Sequence, residues 1–122
     1  RMARKALGPQ FLLGFRISGN EHVEGGLTLN DNIVIAKILA AEGLDFIHLS
    51  SGSVEALKYM FPEEDGVMLP EAEAIKRALA IPVICPNIHD PGAARRAIEE
   101  GKVDMVSFSR QLLADPEWPC KV

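Results

Sequence analysis

Apolar residues gather in four short runs, and the stretches between them carry apolar positions at helical spacing. The runs are Phe11-Leu-Leu-Gly-Phe-Arg-Ile17, Asp45-Phe-Ile-His-Leu-Ser50, Ile81-Pro-Val-Ile-Cys-Pro86 and Val103 to Phe108. Each is rich in β-branched or aromatic residues and almost free of charge, as in strands buried on both faces. Leu29, Ile33, Ala36 and Leu39 mark a helix that Gly43 stops, and Thr28 with Asp31 forms its capping box. Pro70 suits the first turn of a helix reaching about Leu79, and Asp90-Pro91 caps and opens another that reaches Glu100. Arg1 to Gln10 reads as a helix end closed by the Gly8-Pro9 turn. Gln111 to Ala114 reads as a short helical segment, with a further turn beginning at Asp115-Pro116-Glu117.

One joint occurs twice. Ala41-Glu-Gly-Leu-Asp-Phe-Ile-His-Leu-Ser50 and Glu100-Gly-Lys-Val-Asp-Met-Val-Ser-Phe-Ser109 both run from helix end through glycine and aspartate into a strand and a serine. Strands joined to one another through helices give the α/β class, built from parallel βα units with right-handed crossovers. Functional loops then lie at the C-terminal ends of the strands. Periodicity fits a small doubly wound sheet as well as part of a barrel.

Candidate chemistry falls at those ends. Ser109-Arg110 stands where the last strand gives way to a helical segment, and amides at a helix start favour an anion such as phosphate. Arg110 adds a fixed charge and a planar fork for two phosphate oxygens; a surface ion pair is its plainer use. Arg16 is costly to bury unpaired, so it is expected near the end of its strand with an anionic or carbonyl partner, or paired with Glu21 or Glu24. His48, mid-strand, reads as a satisfied core histidine rather than a catalyst. Ser51 to Leu69 is a long connection whose helical turn spans Val54 to Met60. Tyr59, Met60 and Phe61 within it either cover the core, the reading preferred here, or line a pocket.

Composition removes several classes. The chain has 122 residues, one domain or less, and its 48% hydrophobic content is enough for a core. A net charge of −4 argues against nucleic acid or an anionic membrane as main partner. No apolar run approaches the roughly 20 residues of a membrane span, and no secretory signal is visible, so a cytoplasmic location is expected. Cys85 and Cys120 form neither a disulfide framework nor a metal motif.

The blocks Phe15-Arg-Ile-Ser18, Glu24-Gly-Gly-Leu27, Asp45-Phe-Ile-His-Leu-Ser-Ser-Gly52, Ile81-Pro-Val-Ile84 and Glu100 to Pro116, in that order, resemble the NADH:flavin oxidoreductase (Old Yellow Enzyme) family. The Ile-Cys-Pro-Asn-Ile-His-Asp-Pro segment is similar to the branch near 2-enoate and dienoyl-CoA reductases. The resemblance implies that residues 1–122 are a partial FMN-binding (β/α)8 TIM barrel, its C-terminal half with strands five to eight. It implies that Arg16 sits beside the pyrimidine edge of FMN, and that Asn87, Ser109 and Arg110 belong to the phosphate-binding turns. Two departures stand out: serine at Ser109, where the family commonly has glycine, and no glycine within Pro86-Asn-Ile-His89. Pro86 has no amide to offer a phosphate.

NAD(P)H as reductant and a small-molecule alkene as substrate follow from the same resemblance. So does the absence of catalytic proton donors here, since the family carries them in the first half of the barrel. The isolated chain is therefore expected to be inactive. A [4Fe–4S] cluster, where the full protein has one, is expected outside the chain, because such clusters use four cysteine ligands. No other metal is expected. Two alternatives stand beside this reading: a non-catalytic fragment, and a phosphate-binding βα module unrelated to flavin. A homo-oligomer formed through the exposed half-barrel face is also expected, since edge strands and a bare sheet face both need cover.

Overall fold

The computed structural model describes residues 2–122. The chain runs α1 (Met2–Leu7), β1 (Gly14–Ser18), α2 (Leu29–Ala41), β2 (Phe46–Ser50), a 3-10 turn (Val54–Ala56) and α3 (Leu57–Met60). It continues through α4 (Leu69–Ala78), β3 (Val83–Pro86), α5 (Pro91–Glu99), β4 (Met105–Ser107) and α6 (Arg110–Ala114) to a last 3-10 turn (Trp118–Cys120). All strand pairs are parallel, and the sheet order β1-β2-β3-β4 follows the sequence. These are successive βα units of the kind that make up a (β/α)8 barrel.

The caps explain why the helices start where they do. Thr28 and Asp31 exchange the two bonds of the capping box. Asp90 accepts from the amides of Gly92 and Ala93, with Pro91 opening α5. Gly43 at φ +92° and Gly101 at φ +69° take the left-handed turn that ends α2 and α5.

The repeated joint has one physical purpose. Asp45 accepts the Leu13 amide at 2.7 Å and pairs with Arg4 of α1 at 2.5 Å. Asp104 accepts the Val83 amide at 2.8 Å and pairs with Lys76 of α4, also at 2.8 Å. Each aspartate thus ties the entrance of the preceding strand to the helix before that strand. The main chain adds a second tie, Asp45 N–H to Leu13 O at 2.8 Å and Asp104 N–H to Val83 O at 3.0 Å.

The core lies on one side of the sheet. Leu49, Val83 and Cys85 pack against Ala36 of α2, Ala72 and Ile75 of α4, and Ala94 and Ala97 of α5. By alternation along the strands, Arg16, Phe46, His48, Ile84, Met105 and Ser107 face the other way. None of them belongs to the core, and Met105 is 42% exposed. On this face the Phe46 ring lies so close over Gly14 that a Cβ there would sit 2.1 Å from it.

Each strand covers only part of its apolar run, and β1 and β4 also differ in burial. Residues 11–13 precede β1 rather than extending it. Arg4 donates to Phe11 O, Asp45 takes the Leu13 amide, and Phe11 and Leu12 stay exposed. The expectation that the Val103 to Phe108 run is buried on both faces also fails. Val103 is buried, but β4 covers only Met105–Ser107 and Met105 faces the uncovered side. Helices screen one face only, so apolar content overstates burial at these strands.

Candidate functional site

The strand exits converge along one edge of the sheet, because all four strands point the same way. Ser18 Oγ donates to Gly52 O at 3.2 Å, and the Gly52 amide donates to Asn20 O at 2.7 Å, joining the exits of β1 and β2. Gly52 holds φ +76°, and a Cβ there would lie 2.9 Å from Ala56 O and Met60 N. The Gly66 amide donates to Asn87 O at 2.6 Å, drawing the long connection onto the exit of β3.

Arg110, at the start of α6, reaches across to that exit. Its Nη2 donates to Asn87 Oδ1 at 2.9 Å and to Pro62 O at 3.1 Å, and it lies 3.0 Å from His89 Nε2. Asn87 is 7% exposed with φ +62°, a left-handed conformation that asparagine tolerates better than most residues. Its amide Nδ2 donates to Glu64 O at 2.8 Å. Two sequence-predicted residues, Asn87 and Arg110, are thereby brought into direct contact. Ser109 adjoins them as the residue before α6, with an exposed side chain that makes no capping bond.

The fork expected of Arg110 is partly engaged by the chain. Both two-donor edges of a guanidinium include Nη2, whose hydrogens go here to Asn87 and Pro62. Nε and Nη1 have no hydrogen-bond partner among the described residues. An anion at Arg110 would meet Nη1 first.

Arg16 corrects its expectation. It occupies the middle of β1, exposed on the uncovered sheet face, and makes no hydrogen bond or ion pair among the described residues. Glu21 instead accepts the Leu27 amide at 2.8 Å. The charge acts on its neighbour: Arg16 pairs in register with His48, whose pKa is lowered by burial first and by Arg16 second. His48 is satisfied, its Nε2 3.0 Å from Ser107 Oγ, but it lies on the uncovered face rather than in the helix-packed core.

The long connection also differs from expectation. Tyr59 and Phe61 line an open groove of about 500 Å3 with Lys58, Pro62, Glu64 and Val67. Phe61 is 66% exposed, so it does not cover the core. The groove adjoins Arg110 through Pro62.

Two histidines on these loops went unflagged. His22, at φ +55°, stacks on Tyr59 with ring centroids 3.8 Å apart, and its Nε2 lies 3.0 Å from Glu71 Oε1 and 3.1 Å from Ser51 Oγ. His89 joins Arg110 and Asn87. Neither had a signal in spacing, since their partners lie on other loops. The missing glycine within Pro86-Asn-Ile-His89 was the only cue to that segment, and it did not single out His89.

The cysteines are separate. Cys85 is buried, and burial followed by the charge of Glu71 pushes its thiol up to about 12, while Cys120 is exposed. Among the described residues no group of His, Cys, Asp and Glu could hold a metal ion, and no helix is long and apolar enough to cross a membrane.

The model of the NADH:flavin oxidoreductase / NADH oxidase family matches residues 1–122. The chain belongs to this family. It is 39% identical over 125 residues to an NADH oxidase of Thermoanaerobacter brockii, covering 99% of this chain and 19% of that protein. It is 35% identical over 106 residues to a cinnamate reductase of Clostridium sporogenes, covering 84% of this chain and 16% of that one. Histamine dehydrogenase from Rhizobium sp. 4-9 superimposes with a TM-score of 0.82 at 22% identity, over 97% of this chain and 17% of its own. The chain thus spans about a fifth of each of these family proteins, and the parallel βα units are those of the barrel in its flavin oxidoreductase relatives.

Proposed function

We propose that this chain is the C-terminal half, strands five to eight, of an FMN-binding barrel in an NAD(P)H-dependent reductase of activated alkenes. The observation that carries the reading is the contact of Arg110 with Asn87 across the exits of β4 and β3, made at 2.9 Å by residues 23 positions apart. It leaves unpartnered guanidinium donors at the mouth of the barrel-type sheet, where phosphate sites of this architecture lie. The residues fit FMN in a second way: Arg16 is a cation without a partner among the described residues, on the sheet face that would line the barrel interior.

Bound there, FMN would supply hydride transfer between NAD(P)H and an electron-poor carbon–carbon double bond. Arg110, with the turns at Ser109 and Asn87, would hold the phosphate. Arg16 would stand on the same sheet face as a fixed positive charge toward the pyrimidine edge of the ring. No residue of this chain is placed as the proton donor, so the 122 residues alone turn over no alkene. The cinnamate reductase relative favours an α,β-unsaturated carboxylate as substrate. An iron–sulfur cluster, where the whole protein has one, takes its four cysteines from outside this chain.

FMN affinity in a full-barrel protein containing this chain tests the reading. Arg110→Ala should weaken FMN by about tenfold or more, and Arg110→Lys by less, because lysine keeps the charge but not the planar donors. Equal affinities for the three proteins would remove Arg110 from the site.

A further inference from the structure

We propose that His89 is a positioning residue for the cofactor phosphate: it fixes Asn87, and through Asn87 it aims Arg110. The proposal rests on the reading of Arg110 as the phosphate arginine and adds a residue to it.

Hydrogen counting around Asn87 Oδ1 assigns the roles. Arg110 Nη2 carries two hydrogens and has three neighbours, Asn87 Oδ1 at 2.9 Å, His89 Nε2 at 3.0 Å and Pro62 O at 3.1 Å, of which the two oxygens accept them. Asn87 cannot be flipped to put its amide there, because Nδ2 already donates to Glu64 O at 2.8 Å. His89 Nε2 lies 2.9 Å from the same Oδ1. With a bare Nε2 this would be two acceptors in contact, and the buried Nδ1–H would have no partner. With the hydrogen on Nε2, His89 donates to Asn87 Oδ1, and the unpartnered Nδ1 is only a lone pair. Either tautomer leaves one like pair in contact, Asn87 Oδ1 with a bare Nε2 or Arg110 Nη2 with a protonated one; only the second leaves no buried donor unpartnered among the described residues, so it is the one assigned.

Asn87 Oδ1 is then a hub that accepts from His89 on one side and Arg110 on the other. The His89 backbone is anchored independently, its amide donating to Asp65 Oδ1, while the Asp90 amide donates to Asp65 Oδ2 at 3.2 Å. A fixed imidazole therefore holds a left-handed asparagine, and the asparagine holds the arginine. Immobilising Arg110 before the anion arrives removes the cost of ordering a long side chain at binding.

Binding of FMN and of riboflavin to the full-barrel protein, followed by flavin fluorescence, reads the effect. Riboflavin has the ring but no phosphate, so the ratio of the two affinities isolates the phosphate contribution. His89→Ala should lower the FMN-to-riboflavin ratio about fivefold, the scale of one hydrogen bond's net contribution. His89→Gln, which keeps a donor, should preserve most of it. Asn87→Gly keeps the backbone turn and deletes the hub, so it should lower the ratio as well. His89→Ala added to Asn87→Gly should then cost nothing further. Equal weakening of both ligands by His89→Ala, or no change in either, overturns the proposal. A full second loss in the double variant also overturns it. If Arg110→Ala leaves the ratio intact, the phosphate reading itself fails and the proposal fails with it. A ratio lowered by Arg110→Ala but not by the His89 variants rejects only the role of His89.

Discussion

Among the described residues Arg16 is an unpaired guanidinium in the middle of a strand, on a face that no helix covers. A cation left unpaired there is tolerated because the face is open, and it is useful only if something anionic comes to it. Its field reaches His48, whose imidazolium it disfavours in addition to the larger effect of burial. Arg16→Ala should therefore raise the His48 pKa toward the ordinary 6.5 without reaching it, because burial remains. A proton NMR titration of the histidine ring reads this directly. An unchanged or lowered value would separate the two side chains.

At the scale of elements, the aspartate joints decide where strands begin. The Leu13 amide and Arg4 together hold the Asp45 carboxyl below its ordinary 3.8. A carboxyl depressed on folding contributes stability that is present above its unfolded pKa and lost as pH falls through its folded one. Asp45→Asn should therefore lower the melting temperature at pH 7 and lose that deficit below about pH 4, as the wild-type carboxyl also becomes protonated. Thermal melts at a series of pH values check it; a deficit independent of pH would assign the effect to packing. Both joints were visible in sequence as a repeat, and so were the caps at Thr28 and Asp90, because these depend on residues a few positions apart. The alternation of strand and helix was equally legible. Strand lengths were not: Phe11 to Leu13 read as strand because apolar content cannot tell a core position from one awaiting a partner. Arg110 and Asn87 could be nominated, but their contact, and the part played by Pro62 and His89, arises from loops that only the folded sheet brings together.

On the scale of the whole molecule, the sheet is covered on one face and open on the other. Phe46, Ile84 and Met105 sit on the open face, flanked by the unpaired edges of β1 and β4. Such a face and such edges invite pairing. In isolation the 122-residue chain should self-associate, and sedimentation at micromolar concentration should show a dimer or larger species. A compact monomer with no concentration dependence would mean that the face is stable in water. In a full barrel the same face turns inward, with Arg16 on it and Arg110 at its rim, and the account stands on those two cations serving one ligand. The most direct test is a crystal structure of the FMN-loaded full-barrel protein. The account predicts the phosphate within hydrogen-bonding distance of Arg110 at the Asn87 and Ser109 turns, with the flavin ring against Arg16. A phosphate bound elsewhere, or a ring out of reach of Arg16, would contradict it.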